Sequence, residues 1–161
     1  MTYLPYPDPV HHGDAEPSGR YRPASTPPDL HNPSGTDVHY LATGASTDGQ
    51  LGLYRWEMGP GRGGPDPHFH RSITESFYVL SGTIRLFDGN GWVDGRPGDF
   101  LYVPQGGVHG FRNESGEPAS MLLHFAPGAP REAYFEGLPD LSKKTPEERD
   151  AFFVEHDTYW V

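Results

Sequence analysis

The sequence predicts an all-β domain, a jelly-roll barrel of two antiparallel sheets, with a proline-rich N-terminal arm and a short C-terminal helix. Three observations carry that expectation. At 161 residues the chain has the length of one ordinary domain, enough to close a single hydrophobic core. Its 21 glycines and 18 prolines are interleaved with short runs of Val, Ile, Phe, Tyr and Trp, the composition of short strands joined by tight turns. These runs recur at regular spacing, with no internal repeat and no βαβ alternation.

Taken in order, residues 1–36 read as an irregular arm, because prolines from Pro5 to Pro33 deny the backbone donors that a regular ladder needs. Tyr3, Leu4, Tyr6, Tyr21 and Leu30 could anchor the arm on the barrel or on a neighbouring subunit. The barrel is expected over residues 37–128. Its strand-like segments are Val38–Ala42, Leu51–Met58, His68–His70, Glu75–Leu80, Thr83–Phe87, Phe100–Val103, Val108–Asn113 and Met121–Phe125, each bounded by turn residues. A turn at Asp88 to Gly91 should lead into the start of one more strand before Pro97. Residues 129–161 form a helical extension. One helical turn is expected at Arg131–Glu136, and a longer helix from Pro146 to about His156, opened by Thr145 and Glu148 in capping-box spacing with proline at the first helical position. That helix places Arg149, Phe152, Phe153 and His156 on one face.

A formal charge of -10 and the absence of a basic stripe argue against nucleic-acid partners, and against an anionic membrane surface for the same reason. The N-terminus carries neither a basic nor an apolar leader region, and no apolar run is long enough to span a bilayer, so a cytoplasmic location is expected. Without cysteine, any metal site must be built from histidines and carboxylates.

His68 and His70, at i and i+2, point to one face if their segment is extended. A turn over Arg71–Thr74 then returns the carboxylate of Glu75 over the same face, with Phe77 and Val79 as its inward partners, and His109 is the obvious fourth donor. Three imidazoles and a carboxylate suit a first-row divalent ion. Taken alone, an H-x-H pair is as readily a surface accident or a hydrogen-bonded core pair.

The surrounding residues change that balance, because they resemble the two motifs of the cupin superfamily. In the first, G-x5-H-x-H-x3,4-E-x6-G, His68, His70, Glu75 and Gly82 fit, while the leading glycine falls on Arg62 between Gly61 and Gly63. In the second, G-x5-P-x-G-x2-H-x3-N, Gly98, Pro104, Gly106, His109 and Asn113 match at every specified position. Gly82, Gly98 and Gly106 are expected at turns needing positive φ, and Asn113 in a turn or behind a ligand. The resemblance, covering about Leu51 to Pro127, implies the cupin double-stranded β-helix and one divalent ion per chain (Fe, Mn, Ni, Cu or Zn) on His68, His70, Glu75 and His109.

His11, His12, His31, His39 and His156 have no partner at ligand spacing. His124, in the apolar run SMLLHF, is either a hydrogen-bonded barrel residue or a polar group of the pocket. Tyr54, Trp56 and Met58 share a strand face, and Phe77, Tyr102 and Phe111 flank the ligand segments. A substrate pocket is therefore expected from Trp56, Phe77, Tyr102, Phe111 and His124.

A dication with this donor set keeps net positive charge and open positions for a bidentate anion such as a flavonol, catecholate or enolate. Among the functions that the resemblance implies, an O2-dependent dioxygenase acting on a small aromatic or enolisable substrate comes first, with Glu75 as the catalytic base. A non-oxidative polyketide cyclase or isomerase is second, and a non-catalytic small-molecule-binding cupin third. A homodimer is the expected assembly, since cupins often pair through sheet edges.

Overall fold

The computed structural model describes residues 3–61 and 63–161. Its strands are β1 (Leu30–Asn32), β2 (Thr36–Ala42), β3 (Gly52–Met58), β4 (His68–Phe69), β5 (Thr74–Ser81), β6 (Ile84–Phe87), β7 (Trp92–Gly95), β8 (Phe100–Val103), β9 (Gly110–Arg112), β10 (Ala119–Ala126) and β11 (Tyr159–Trp160). Helix α1 (Arg131–Gly137), a 3-10 helix (Leu138–Lys143) and helix α2 (Pro146–Glu155) precede the last strand. No helix among the described residues is long and apolar enough to cross a membrane.

One layer is a six-stranded antiparallel sheet in the order β1-β2-β3-β10-β5-β8. The other contains β7-β6-β9 and the β11-β4 pair, joined by an antiparallel bridge between His68 and His109. The central strands show why the layers face each other. In β3 (GLYRWEM) and β10 (ASMLLHFA) alternate residues are buried, so Tyr54, Trp56 and Met58 meet Leu123, Met121 and Ala119 across the ladder on one inner face. From the second layer, Ile84, Leu86 and Phe111 enter the same core. The rings of Tyr54 and Phe125 lie 5.8 Å apart, and those of Trp56 and Phe111 5.6 Å apart, in edge-to-face contacts that contribute about 0.5–1.5 kcal/mol each beyond burial.

The extension is stitched into this core. Tyr134 and Phe135 of α1 are buried, and the Phe135 ring sits 5.2 Å from Tyr54 and 5.3 Å from Trp56. Helix α2 begins where the sequence places it: Glu148 N donates to Thr145 Oγ1 (3.2 Å) and Thr145 N donates to a Glu148 carboxylate oxygen (2.8 Å). Its Phe152 and Phe153 pack on the core from outside, while Arg149 is exposed.

Two strands, β1 and β11, depart from the expected set, whereas β7 is the strand expected after the turn at Asp88 to Gly91. The arm, expected to be irregular throughout, ends in β1, which pairs with β2 in the register Leu30↔Val38. It lies just beyond Pro27 and Pro28 at the sheet edge, where a short proline-flanked strand is tolerated. Strand β7 continues from Trp92 to Gly95 and pairs with β6. The two-residue strand β11 pairs with β4, Trp160 opposite His68, and was not expected.

Gly82, Gly98 and Gly106 all have positive φ, as the motif spacing predicts. At Gly82 a Cβ would also sit 2.5 Å from the Pro118 carbonyl oxygen, whereas at Gly116, also of positive φ, nothing lies within 4 Å. Gly82→Ala should therefore destabilise the barrel by more than the ~1 kcal/mol that left-handed backbone alone costs, and Gly116→Ala by less. Urea unfolding of both variants checks this, and equal losses would contradict the close approach at Gly82.

Candidate metal centre and substrate pocket

The backbone brings the four predicted ligands together before any side chain is considered. His68 and His109 exchange both backbone hydrogen bonds, N to O at 2.9 Å in each direction, so their side chains leave the same face of the second layer. Gly106 N donates to His70 O at 2.7 Å, tying the loop before His109 to the end of the His68 segment. Glu75 enters from the opposite sheet, paired with Phe125 on one side and Val103 on the other. One donor atom from each of His68, His70, Glu75 and His109 lies within 4.8 Å of all the others, the one such group among the described residues. All four are buried, with exposures of 4%, 2%, 4% and 1% in that order.

Hydrogen bonds behind the rings decide which nitrogen faces the centre. Nδ1 of His68 donates to Asp66 O (2.8 Å), that of His109 to Gly107 O (2.9 Å), and that of His70 to Asp157 O. A carbonyl oxygen only accepts, so each Nδ1 carries a proton, and in the neutral ring each Nε2 keeps the lone pair. The His70 and His109 Nε2 atoms lie 3.0 and 2.8 Å from one oxygen of Glu75. Lone pairs facing a carboxylate at that distance require positive charge among them, either shared protons or a cation.

The electrostatics agree. Burial pushes the His68 imidazolium down to about 3, reinforced by His109, so His68 is neutral at ordinary pH. Burial alone would raise the Glu75 carboxyl, but His109 and His70 overcome it and hold it well below the usual range. Burial opposes protonation of His109, and Glu75 more than offsets it, leaving that imidazole raised. A divalent ion would take over the charge balance that these protons provide. The donor chemistry, three imidazoles oriented by carbonyls and one carboxylate, fits such an ion.

The C-terminus completes this support. Besides its carbonyl on His70, Asp157 accepts from Arg71 N (2.9 Å), Ser72 N (2.8 Å) and Ser72 Oγ (2.6 Å), clamping the turn between His70 and Glu75. The Trp160 ring stands 5.2 Å from His68. Asn113 behaves as the motif implies for a turn residue: its amide donates to Gly59 O and Glu117 O, and its oxygen accepts from Ser115. Arg62, at the expected leading glycine of the first motif, lies outside the described residues.

A cavity of about 280 Å³ opens on the centre, with His68 and Glu75 in its lining. Trp56 and Phe111 line it as expected. Phe77 lies behind it instead, fully buried, its ring 5.8 Å from His109 and 5.7 Å from Phe111. The other two expected pocket residues require correction. Tyr102 is 56% exposed, because Leu101 and Val103 take the inward positions of β8. His124 faces outward between the buried Leu123 and Phe125 of β10. Residues not anticipated complete the walls: Phe125, Phe135 and Trp160 are apolar, and Arg131 is a buried cation.

His70→Ala or His109→Ala should abolish stoichiometric binding of a divalent ion while leaving the barrel folded, since the contacts among Tyr54, Trp56, Phe111 and Phe135 do not run through either histidine. Glu75→Gln should weaken binding less. Elemental analysis with far-UV circular dichroism checks this, and full metal content in either histidine variant would remove that residue from the ligand set.

Comparison with known proteins agrees with this geometry. Residues 54–125 match the sequence model of the Cupin domain. Quercetin 2,3-dioxygenase of Bacillus subtilis (strain 168) is 35% identical over 113 residues, 66% of this chain and 31% of that protein, so the match spans about a third of the relative's length. Among solved structures, the polyketide cyclase RemF from Streptomyces resistomycificus superposes with a TM-score of 0.56 at 23% identity, covering 70% of this chain and 81% of that one. A sugar phosphate isomerase of the cupin superfamily from Silicibacter pomeroyi DSS-3 gives 0.50 at 27% identity, covering 57% and 59%. With both motifs in place on a jelly-roll barrel, residues 54–125 of this chain are a cupin domain.

Proposed function

We propose that this chain is a metal-dependent dioxygenase acting on a small planar aromatic or enolisable compound. The observation that carries the reading is the meeting of three lone-pair imidazoles and one ionised carboxylate at an aromatic-walled cavity, in a chain 35% identical to a quercetin 2,3-dioxygenase over 113 residues. His68, His70, Glu75 and His109 would hold the ion, which when bound would polarise an enol or phenol oxygen and, if redox-active, pass electrons between substrate and dioxygen.

The remaining work falls to the chain itself. Trp56, Phe111, Phe125 and Phe135 present flat apolar surfaces that orient a planar ring and exclude water from it. Glu75 directs one oxygen at His70 and His109 and makes no hydrogen bond through the other among the described residues. That second oxygen is the group placed to take the proton of a substrate hydroxyl.

Protein loaded separately with Fe, Mn, Ni, Cu or Zn and given quercetin should consume oxygen in step with substrate when the metal is redox-active. Glu75→Gln should retain metal and lose about 10²–10⁴-fold in rate. Equal product formation in anaerobic buffer would replace this reading with a non-oxidative cyclase or isomerase, and undiminished turnover in Glu75→Gln would remove the proposed base.

A further inference from the structure

We propose that Asp157 is a positioning residue of the metal centre, and that binding of a divalent ion and docking of residues 157–161 stabilise each other. This inference rests on the reading of His68, His70, Glu75 and His109 as an ion site and adds to that site a residue outside the ligand set.

His70 is held by one residue in two ways. Asp157 O accepts from His70 Nδ1, which leaves Nε2 facing the Glu75 carboxylate at 3.0 Å. The Asp157 carboxylate meanwhile accepts from Arg71 N at 2.9 Å, Ser72 N at 2.8 Å and Ser72 Oγ at 2.6 Å, in the two residues that follow His70. Backbone holds the ring and side chain holds the backbone. A partner placed behind a ligating imidazole fixes its tautomer and direction, and loss of such partners lowers metal affinity about 10- to 100-fold. Asp157 itself has a φ of 51°, in the left-handed region that few non-glycine residues enter, Asp and Asn among them.

The residues beyond Asp157 run along a second ligand. Trp160 pairs with His68 in the β4–β11 ladder, and the two rings stand 5.2 Å apart. Tyr159 stacks on Phe69 at 5.3 Å, with the Arg71 guanidinium 4.5 Å from its centroid on the same segment. Residues 157–161 thus meet His68, His70 and the residues between and just after them.

The root of this segment is fixed without the ligands. His156 O accepts from Arg131 Nη1 at 2.6 Å, and Thr158, 1% exposed, donates its N–H to Phe153 O at 2.8 Å. Beyond Thr158 the hold is slighter, since β11 has two residues and both Trp160 and Val161 are exposed. Short, solvent-exposed pairings of this kind open at the least cost in free energy. If their docking keeps His68 and His70 in the arrangement an ion needs, an ion on those rings favours docking by the same factor. Trp160 also lines the cavity, so the ion helps to complete its wall.

A role for Asp157 limited to fastening the turn after His70 predicts no such reciprocity. Zinc is titrated against a competing chromophoric chelator into the full chain, and amide exchange at residues 159–161 is followed by NMR in chelator-treated and zinc-saturated protein. In the wild type these amides should exchange about 10- to 100-fold more slowly with zinc, the factor by which the docked segment favours the ion. The slowing should exceed that in β3, which carries no ligand and reports the stabilisation of the whole fold by a bound ion. Asp157→Gly, which accepts the left-handed backbone and removes the carboxylate, should weaken zinc about 10- to 100-fold and reduce the extra protection. Asp157→Asn should keep part of both. Ser72→Ala should give a smaller loss of affinity in the wild-type background and little further loss in Asp157→Gly. Unchanged zinc affinity in Asp157→Gly with the far-UV circular dichroism retained would overturn the proposal, as would protection at residues 159–161 no greater than in β3. The wild-type exchange comparison decides the matter even where a variant does not fold. Wild-type protein that binds no zinc would remove the ion site together with this inference, whereas zinc binding without the extra protection would remove the inference alone.

Discussion

Three imidazole N–H groups bound to backbone carbonyls set the terms for the rest of this molecule. Once the Nδ1–H groups of His68, His70 and His109 donate to the carbonyls of Asp66, Asp157 and Gly107 respectively, the three Nε2 atoms have nowhere to point but toward one another and Glu75. Such a cluster is costly in a dry interior unless a positive charge joins it. The carbonyls in turn belong to backbone fixed by the His68–His109 bridge and by the clamp of Asp157 on Arg71 and Ser72. The aromatic core carries the stability that lets the barrel hold such a centre.

The same constraint gives the C-terminal extension a role beyond covering the barrel. Helix α1 inserts Tyr134 and Phe135 into the core and brings Arg131 to the cavity, and the segment after α2 carries Asp157 and Trp160 to the ligand strand. The metal centre, the aromatic walls and the buried cation are therefore one assembly drawn from both layers and from the extension. A change in the last five residues, far from the ligands in sequence, acts directly on His70 and His68.

The parts legible in the sequence are those set by local geometry. His68 and His70 two apart, Glu75 after a short turn and the glycines of positive φ are dictated by strand period and turn stereochemistry, and the capping box announced α2 residue by residue. Asp157 was not legible, because it meets His70 across 87 positions and no local pattern marks a carbonyl as a partner. Arg131 read as an ordinary helix residue, since burial of its guanidinium arises only when α1 folds back on the barrel. Tyr102 read as a pocket residue because FLYV is apolar on both faces, whereas in SMLLHF the apolar Met121, Leu123 and Phe125 alternate with Ser120, Leu122 and His124, which places His124 on the outward face. With Tyr78, Leu80, Phe100 and Tyr102 exposed on the outer side of the sheet, alternation of polarity could not identify the inner one.

The central claim is that His68, His70, Glu75 and His109 hold one ion at the aromatic cavity. A crystal of protein saturated with a first-row metal, measured on both sides of that metal's absorption edge, tests it most directly. The account predicts one anomalous peak per chain, about 2.0–2.3 Å from the three Nε2 atoms and a Glu75 oxygen. A peak bound elsewhere, or none at this cluster in protein shown to carry stoichiometric metal, would contradict it.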